Sequence, residues 1–182
     1  MNAARPRAAV LVVLFGVLTA GCSGAGGAQD ADRRTAAAVV SALRDRGVAA
    51  AAPAWCAPGS PGAPIAPGVV APTFHDESLP GPQDPRRIAD GAVVEVLATP
   101  EAAAARRRQI ADQVRLAGEF GYDEGGQPLA LEHTLVAGRV VLRVAPDVRG
   151  ERLAAYRAGV QEATGGADRG PPPSWGTVEC LT

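Results

Sequence analysis

The stretch Ala92-Val93-Val94-Glu95-Val96-Leu97-Ala98 gives the clearest indication of the fold in this chain of 182 residues. It is mostly apolar and rich in β-branched side chains, which is typical of a buried strand. Thr99-Pro100-Glu101 follows and indicates a helix start, because Thr is a favoured N-cap and Pro fits the first helical position. A strand should therefore lead directly into a helix that runs to about Ala117 and ends at Gly118. The inward positions of that helix are predicted to be Ala103, Ile110, Val114 and Ala117.

A hairpin and a last helix are predicted after this unit. Leu131–Val136 and Arg139–Val144 should pair around Ala137-Gly138, because Gly supplies the positive φ that a tight turn needs. The second strand alternates apolar side chains with Arg, so one face is expected to meet a core and the other to be partly wet. A helix should then run from about Arg149 to Ala163. Its apolar stripe consists of Leu153, Tyr156, Val160 and Ala163.

A first helix is predicted upstream, over Asp32–Arg46, where apolar residues recur at helical spacing and Gly47 supplies a stop. Its inward positions are predicted to be Ala36, Val39, Val40 and Leu43. Residues 53–90 are rich in Pro, which disfavours long helices and central strands. Between Val48 and Asp90 one strand could form, either near Val69-Val70 or over Ala49–Trp55.

The predicted order is helix, irregular segment, strand, helix, two strands and helix. This order favours an α+β fold, in which a small antiparallel or mixed sheet carries helices on one face. Residues 32–182 are long enough for a single domain with its own core. That domain would include the Pro-rich segment 53–90 and a C-terminal tail at 164–182.

The first 21 residues have the pattern of a signal peptide. Two Arg precede Ala8–Ala20, an apolar run of 13 residues that is too short to span a membrane. Ala20-Gly21-Cys22 then resembles the bacterial lipobox, although Thr19 stands where that motif prefers Leu. The resemblance implies cleavage before Cys22 and transfer of a diacylglyceryl group to its thiol. An ordinary secretory signal followed by a coincidental cysteine is the alternative.

A lipid on Cys22 would place the protein on the extracytoplasmic face of the cell membrane. Each buried methylene of an acyl chain contributes about 0.8 kcal/mol, so two or three chains anchor a protein stably. Residues 22–31 are Gly-rich and lack large apolar side chains, so they are predicted to form a flexible tether.

The charge pattern disfavours a nucleic-acid partner. All 18 basic residues are Arg, and the chain after the signal keeps 16 of them against 19 acidic residues. A mildly acidic domain lacks the positive surplus that phosphate binding needs. Arg106-Arg107-Arg108, the longest basic run, is therefore interpreted as a solvated helix face.

Cys56 and Cys180 remain as a pair once Cys22 carries lipid. Two cysteines in an exported domain favour a disulfide, because the compartment is oxidising. Their bridge would join the Pro-rich segment to the C-terminal tail. Two separate unpaired thiols are the alternative.

No catalytic, cofactor-binding or metal-binding residue can be assigned from the sequence, and no cofactor is expected. His75 and His133 lack the spacing of metal ligands, so His75 is expected in a loop and His133 on a strand face. No Ser lies in a Gly-x-Ser-x-Gly elbow, and Gly24–Gly27 follows no predicted strand, unlike a phosphate-binding loop. A pair of catalytic carboxylates stays open, because any two acidic residues can meet in space.

The strand and helix start at Val93–Ala103 resemble a group of uncharacterised actinobacterial lipoproteins and secreted proteins. In that group a V-E-V-[FL]-A-[ST]-x-[ED]-A-A pattern precedes an Arg-containing helix. A hairpin like Val136–Val144 and a short helix with a Tyr like Tyr156 follow. The resemblance is best over Gly91–Ala163. It implies the fold and an envelope location, but no chemistry.

These observations predict a cell-envelope lipoprotein whose domain is a non-enzymatic binding or scaffolding module. Its expected partners are the membrane, through the lipid on Cys22, and an envelope protein. Two alternatives remain. One is a small surface enzyme or enzyme inhibitor, and the other is a carrier that holds a hydrophobic ligand between sheet and helices.

Overall fold

The structure, a computed structural model, describes residues 24–56, 69–81, 84, 87–120, 132–165, 174–175 and 177–178. A short 3-10 turn at Ile88–Asp90 precedes the central strand. In chain order the other elements are α1 (Gly24–Asp45), β1 (Ala50–Cys56), β2 (Pro72–Asp76), β3 (Gly91–Val96), α2 (Pro100–Phe120), β4 (His133–Ala137), β5 (Val140–Val144), α3 (Gly150–Gly165) and β6 (Thr177–Val178).

The strands form one mixed sheet in the order β4-β5-β3-β2-β1-β6. Neighbouring strands are antiparallel, except that β6 runs parallel to β1. The strand β3, predicted from Ala92–Ala98, lies between β5 and β2, and all of its residues are buried. The predicted α+β class is confirmed.

The helices α1 and α3 cover one face of the sheet. The predicted inward residues of α1 are fully buried, as are Tyr156 and Val160 of α3. They pack on strand side chains that include Phe74, Val94 and Leu142. Leu153 and Ala163, predicted on the same stripe of α3, are partly buried against this core. The apolar stripes of both helices are confirmed.

The helix α2 lies on the opposite face, which corrects the prediction of helices on one face only. Ala103 and Ile110 of α2 pack on Val141 of β5, whereas Val140 and Leu142 face α1 and α3. Successive side chains of a strand point to opposite faces, so the two helical layers lie on opposite sides of the sheet. The strand β5 is buried on both faces, and the partly wet face predicted for it is wrong.

The helix α2 starts as predicted and ends later. The amide of Ala102 donates a hydrogen bond to Thr99 Oγ1 at 3.1 Å, so Thr99 is the N-cap. Hydrogen bonds from its own backbone amide and from Thr99 lower the pKa of Glu101. The helix continues through Gly118 to Phe120, because one Gly costs a helix only about 1 kcal/mol. The side chains of Val114 and Ala117 lie outside the described residues.

The helix α1 ends at the predicted stop but begins earlier than predicted. Gly47 has a φ of +82°, and the amide of Val48 donates to the carbonyl of Leu43 at 3.0 Å, as in a Schellman motif. The helix begins at Gly24, eight residues before Asp32. The part of the expected tether, residues 22–31, that the structure describes is therefore helical. Once a helix has nucleated, each added residue gains one hydrogen bond, which allows this extension.

Two strands lie in the region predicted to be irregular. The strand β1 confirms the option over Ala49–Trp55, and it contains a bulge at which Ala52 has a φ of +43°. The sequence does not predict β2. It begins at Pro72, and the first residue of a strand is a position that Pro tolerates. Val70 forms only an isolated bridge, to Val96.

The hairpin turn lies one residue later than predicted. Ala137 pairs with Val140, so the two-residue loop is Gly138-Arg139 and Ala137 belongs to β4. Gly138 has a φ of +53°, whereas that of Arg139 is not positive. This arrangement fits a type II′ turn, in which Gly takes the first central position.

Candidate functional site

Four charged side chains form a buried cluster between α2 and the sheet, which we call the buried charge network. Glu95 of β3 accepts hydrogen bonds from Arg106 Nε at 2.6 Å and Nη2 at 2.9 Å. Arg143 of β5 donates to Glu95 Oε1 at 3.2 Å and to both carboxylate oxygens of Glu132 at 2.7 Å. Each of the four side chains is at most 9% exposed.

The buried charge network is neutral, because two guanidinium groups face two carboxylates. Burial opposes the charge of Arg143, but the hydrogen bonds and charges of Glu132 and Glu95 outweigh that effect and raise its pKa. Buried charges persist only when they are paired and hydrogen-bonded. The network therefore orients α2 on the sheet. Its carboxylates and guanidinium groups form hydrogen bonds with one another.

Arg106 corrects the prediction that the run 106–108 is solvated. Arg107 and Arg108 are exposed as predicted, but Arg106 is buried. It lies three residues after Ala103 and four before Ile110, and residues at these spacings share one helix face. This spacing indicates from the sequence that Arg106 is buried.

A second polar cluster joins the end of β2 to α3. The hydroxyl of Tyr156 donates to Asp76 Oδ2 at 2.9 Å. The amide of Ser78 donates to Asp76 Oδ1 at 3.0 Å, and the Ser78 hydroxyl donates to the same oxygen. Both Asp76 and Tyr156 are fully buried. Burial, followed by the charge and hydrogen bond of Asp76, raises the pKa of Tyr156, so the phenol keeps its proton and remains a donor.

An aromatic cluster lies where β1 meets the C-terminal part of the chain. The rings of Trp55 and Trp175 have centroids 4.8 Å apart and planes tilted by 37°. The guanidinium carbon of Arg33 on α1 lies 5.4 Å from the Trp55 ring, within cation–π range. Trp175 is half-buried. This cluster therefore connects α1, the sheet and residue 175.

Arg139 connects the hairpin turn to the first helix. Its Nη1 donates to the carboxylate of Asp32 and to the carbonyl of Leu97 at 3.3 Å, and its Nη2 donates to Thr35 Oγ1 at 3.3 Å. The amino-terminal half of α1, the end of β3 and the β4–β5 turn are thus held together at one edge of the sheet.

The two histidines are far from one another in the sheet. His133 lies in β4, as predicted, with Nε2 3.3 Å from the carbonyl oxygen of Pro146. His75 lies in β2 and not in a loop, because the unpredicted strand includes it. Its Nδ1 is buried with no hydrogen-bond partner in the part of the chain that the structure describes. Within the same part, no group of three or more His, Cys, Asp or Glu side chains could hold a metal ion.

Only one of the two cysteines of the predicted disulfide lies within the described residues. Cys56 is disulfide-bonded, and Cys180 lies outside the described residues. The Cα of Cys56 pairs with that of Val178 on β6, two residues before Cys180 in the sequence. The pairing of Cys56 with Cys180 stays a prediction, which this register supports.

The predicted lipidation site, Cys22, lies outside the described residues, as does the whole signal segment 1–21. Over the residues described, no helix combines the length and the apolar character that crossing a bilayer requires.

Comparisons with protein-family models, with curated proteins and with solved structures found no match to this chain.

Proposed function

We propose that this chain is a cell-envelope lipoprotein, anchored on the extracytoplasmic face of the membrane by lipid on Cys22. Its α+β domain is a non-enzymatic binding or scaffolding module for an envelope protein. We also propose its membership of the actinobacterial lipoprotein group that it resembles. The observation that carries the anchor is the 13-residue apolar run, followed directly by Ala20-Gly21-Cys22.

The state of the buried ionisable side chains supports a non-enzymatic module. A general acid or base must lie within hydrogen-bond reach of a substrate. Glu95 and Glu132 instead accept hydrogen bonds from Arg143, and Asp76 accepts them from Tyr156 and Ser78. These groups hold secondary-structure elements together.

The carrier alternative has less support from the packing. A ligand between the sheet and the helices α1 and α3 would need space there. That layer contains Tyr156, Phe74, Leu43 and Leu142, which have the largest fully buried apolar and aromatic side chains among the described residues. The position of α1 and α3 on the sheet is set by these side chains, so a lipid tail would have to displace them.

The anchor is tested by fractionation of cells that express the full chain. The wild type should partition with membranes and with the detergent phase after phase separation, whereas Cys22→Ala should lose both. Ser23→Ala is the matched control, because it changes the neighbouring residue and keeps the thiol. Unchanged membrane retention of Cys22→Ala would contradict lipidation at this position.

The binding role is tested by crosslinking of the lipidated protein in intact cells. A specific partner should be recovered in proportion to expression and displaced by an excess of the purified soluble domain. Recovery that the soluble domain cannot displace would contradict a binding module. If the protein turns over a substrate, and if this turnover is lost when polar residues that the structure describes are replaced, the result would instead favour the enzyme alternative.

A further inference from the structure

The strands of the sheet begin and end along two opposite edges, and different parts of the chain lie at each of these edges. One edge, which we call the anchor edge, contains the ends of β1 and β3, the β4–β5 turn and the start of α2. The amino-terminal half of α1 lies at this edge, because Asp32 bonds to Arg139 and Arg33 lies over Trp55.

The opposite edge, which we call the distal edge, is where α1 ends. There Arg44 donates to the carbonyl of Ala50 at 2.8 Å, at the start of β1. The turn after β2 also lies at this edge, because the amide of Glu77 donates to the carbonyl of Ala49 at 3.1 Å. Arg152 in the first turns of α3 contacts the carbonyl of Ser78 at 3.4 Å.

A single helix connects the anchor edge to the lipidation site. The helix α1 is continuous from Gly24 to Asp45, so these ends lie about 31 Å apart at 1.5 Å per residue. Only Ser23 separates Gly24 from Cys22, and two residues span at most about 7 Å. The chain between the lipid and the helix is therefore far too short to bring the distal edge to the lipid.

We infer that the anchor edge faces the phospholipid bilayer that holds the lipid of Cys22, and that the distal edge points away from it. This inference rests on the proposed lipidation. Among the described residues, the segment Ala98–Pro100 and the turn at Gly138 are exposed on the edge that faces the bilayer. A binding surface for an envelope partner then lies on the distal edge or on the flanks.

The helix, and not surface charge, sets this orientation. Two of the cations that the structure describes at the anchor edge are already engaged, Arg139 with Asp32 and Arg33 with the ring of Trp55. Exposed charges attract anionic headgroups over roughly a Debye length, about 8 Å at physiological ionic strength. An orientation fixed by α1 should therefore be the same on neutral and on anionic vesicles.

Energy transfer to the membrane tests the orientation. The lipidated full chain is labelled with a donor dye at Ala98→Cys on the anchor edge or at Glu77→Cys on the distal edge, both exposed positions. It is then reconstituted into phosphatidylcholine vesicles that carry an acceptor-labelled lipid. Transfer should be more efficient from position 98 than from position 77. Equal efficiencies, or a higher efficiency from position 77, would overturn the inference.

Two variants test whether α1 is responsible. A flexible Gly/Ser insertion of about 15 residues between Ser23 and Gly24 has a mean span of roughly 20 Å and should abolish the difference. Ala28→Pro, at an exposed helical position, breaks the helix before the core and should reduce it, whereas the control Ala28→Gln should keep it. A difference that survives both changes would contradict the role of α1.

The intact mass of the extracted protein distinguishes a failure of the inferred orientation from a failure of the proposed lipid anchor. If lipid is present and the efficiencies are equal, the orientation is wrong and the anchor stands. If the protein at the membrane carries no lipid on Cys22, both the anchor and the orientation are wrong.

Discussion

Arg106 and Glu95 form a bidentate ion pair between α2 and the central strand, with Nε 2.6 Å from Oε2 and the two side chains 4% and 0% exposed. Arg143 approaches the same carboxylate from the neighbouring strand. Glu95 thus accepts hydrogen bonds from both arginines and is the centre of the buried charge network. Its removal would leave two buried cations with only Glu132 to balance them.

Glu95→Gln should therefore be strongly destabilising. Breaking one partner of a buried ion pair costs about 3–5 kcal/mol, because the remaining charge stays buried without compensation. The free energy of unfolding, measured by urea denaturation at pH 7, should fall by about that amount. Glu162→Gln is the matched control, because the Glu162–Arg46 pair is half-exposed and such pairs contribute about 0–1 kcal/mol. Equal losses in the two variants would contradict the importance of the network.

Tyr156→Phe should destabilise the protein and change its dependence on pH. Hydrogen bonds to charged groups contribute about 1.5–3 kcal/mol, and the variant removes the one between Tyr156 and Asp76. The folded-state pKa of Tyr156 is raised, so its contribution is complete below the unfolded pKa of about 10 and is lost as the pH rises above it. The wild-type free energy of unfolding should fall by up to about 1.4 kcal/mol per pH unit above pH 10 through this residue.

Denaturation between pH 8 and 11 measures this alkaline dependence. The fall in the free energy of unfolding across that range should be smaller in Tyr156→Phe than in the wild type. Absorbance of the folded wild type at 295 nm should show that a tyrosine ionises only on unfolding. Two tyrosines that titrate normally in the folded protein would contradict the buried hydrogen bond.

Gly91→Ala should prevent close pairing of β2 with β3. A Cβ on Gly91 would lie 2.0 Å from the carbonyl oxygen of Phe74, which the backbone cannot relieve without separating the strands. The expected loss is about 3 kcal/mol or more, at the upper end of overpacking effects. Gly159→Ala is the comparison, because its closest new contact is the flexible end of Leu43 at 2.8 Å and Ala favours a helix by about 1 kcal/mol over Gly. A smaller loss in Gly91→Ala than in Gly159→Ala would contradict the register.

Much of the fold follows from local sequence patterns. The strand at Ala92–Ala98, the Thr99 cap and the inward stripes of α1 and α3 depend on residues within a few positions of each other, and all are confirmed. The strand β2 does not follow from such a pattern, because it is short, begins with Pro72 and depends on pairing with β1 and β3. Tertiary pairing decides its structure, and for that reason the sequence alone predicts a loop at His75.

The buried polar contacts depend on residues that are distant in the sequence. Tyr156 and Asp76 are 80 residues apart, and no local pattern connects them. The burial of both faces of the sheet likewise depends on α2, which lies across β5. The alternating pattern of β5 predicts a partly wet position for Arg143, but α2 covers that face, and Arg143 is a buried hydrogen-bond partner of Glu132. Of these buried polar contacts, only the burial of Arg106 can be predicted from the sequence, because its spacing from Ala103 and Ile110 places the three residues on one helix face.

Peptide mapping without reductant should recover Cys56 linked to Cys180. The intact unreduced protein should weigh two hydrogens less than the reduced form. Closure of a loop of roughly 125 residues stabilises a fold by about 4–5 kcal/mol in the chain-entropy model, so reduction should lower the urea midpoint. The double variant Cys56→Ala/Cys180→Ala should match the reduced protein and be insensitive to reductant. Recovery of Cys56 linked to Cys22 would contradict the pairing and would also remove the thiol needed for lipidation.

Mass spectrometry of the N-terminal peptide of the membrane-extracted protein is the most direct measurement of the proposed anchor. The mature chain should begin at Cys22, with a diacylglyceryl group as a thioether on its sulfur. Cys22→Ala should give no such peptide, while Ser23→Ala should give it with the lipid unchanged. A mature chain that begins at another residue, or one that begins at an unmodified Cys22, would contradict the proposal that this protein is held at the membrane by its own lipid.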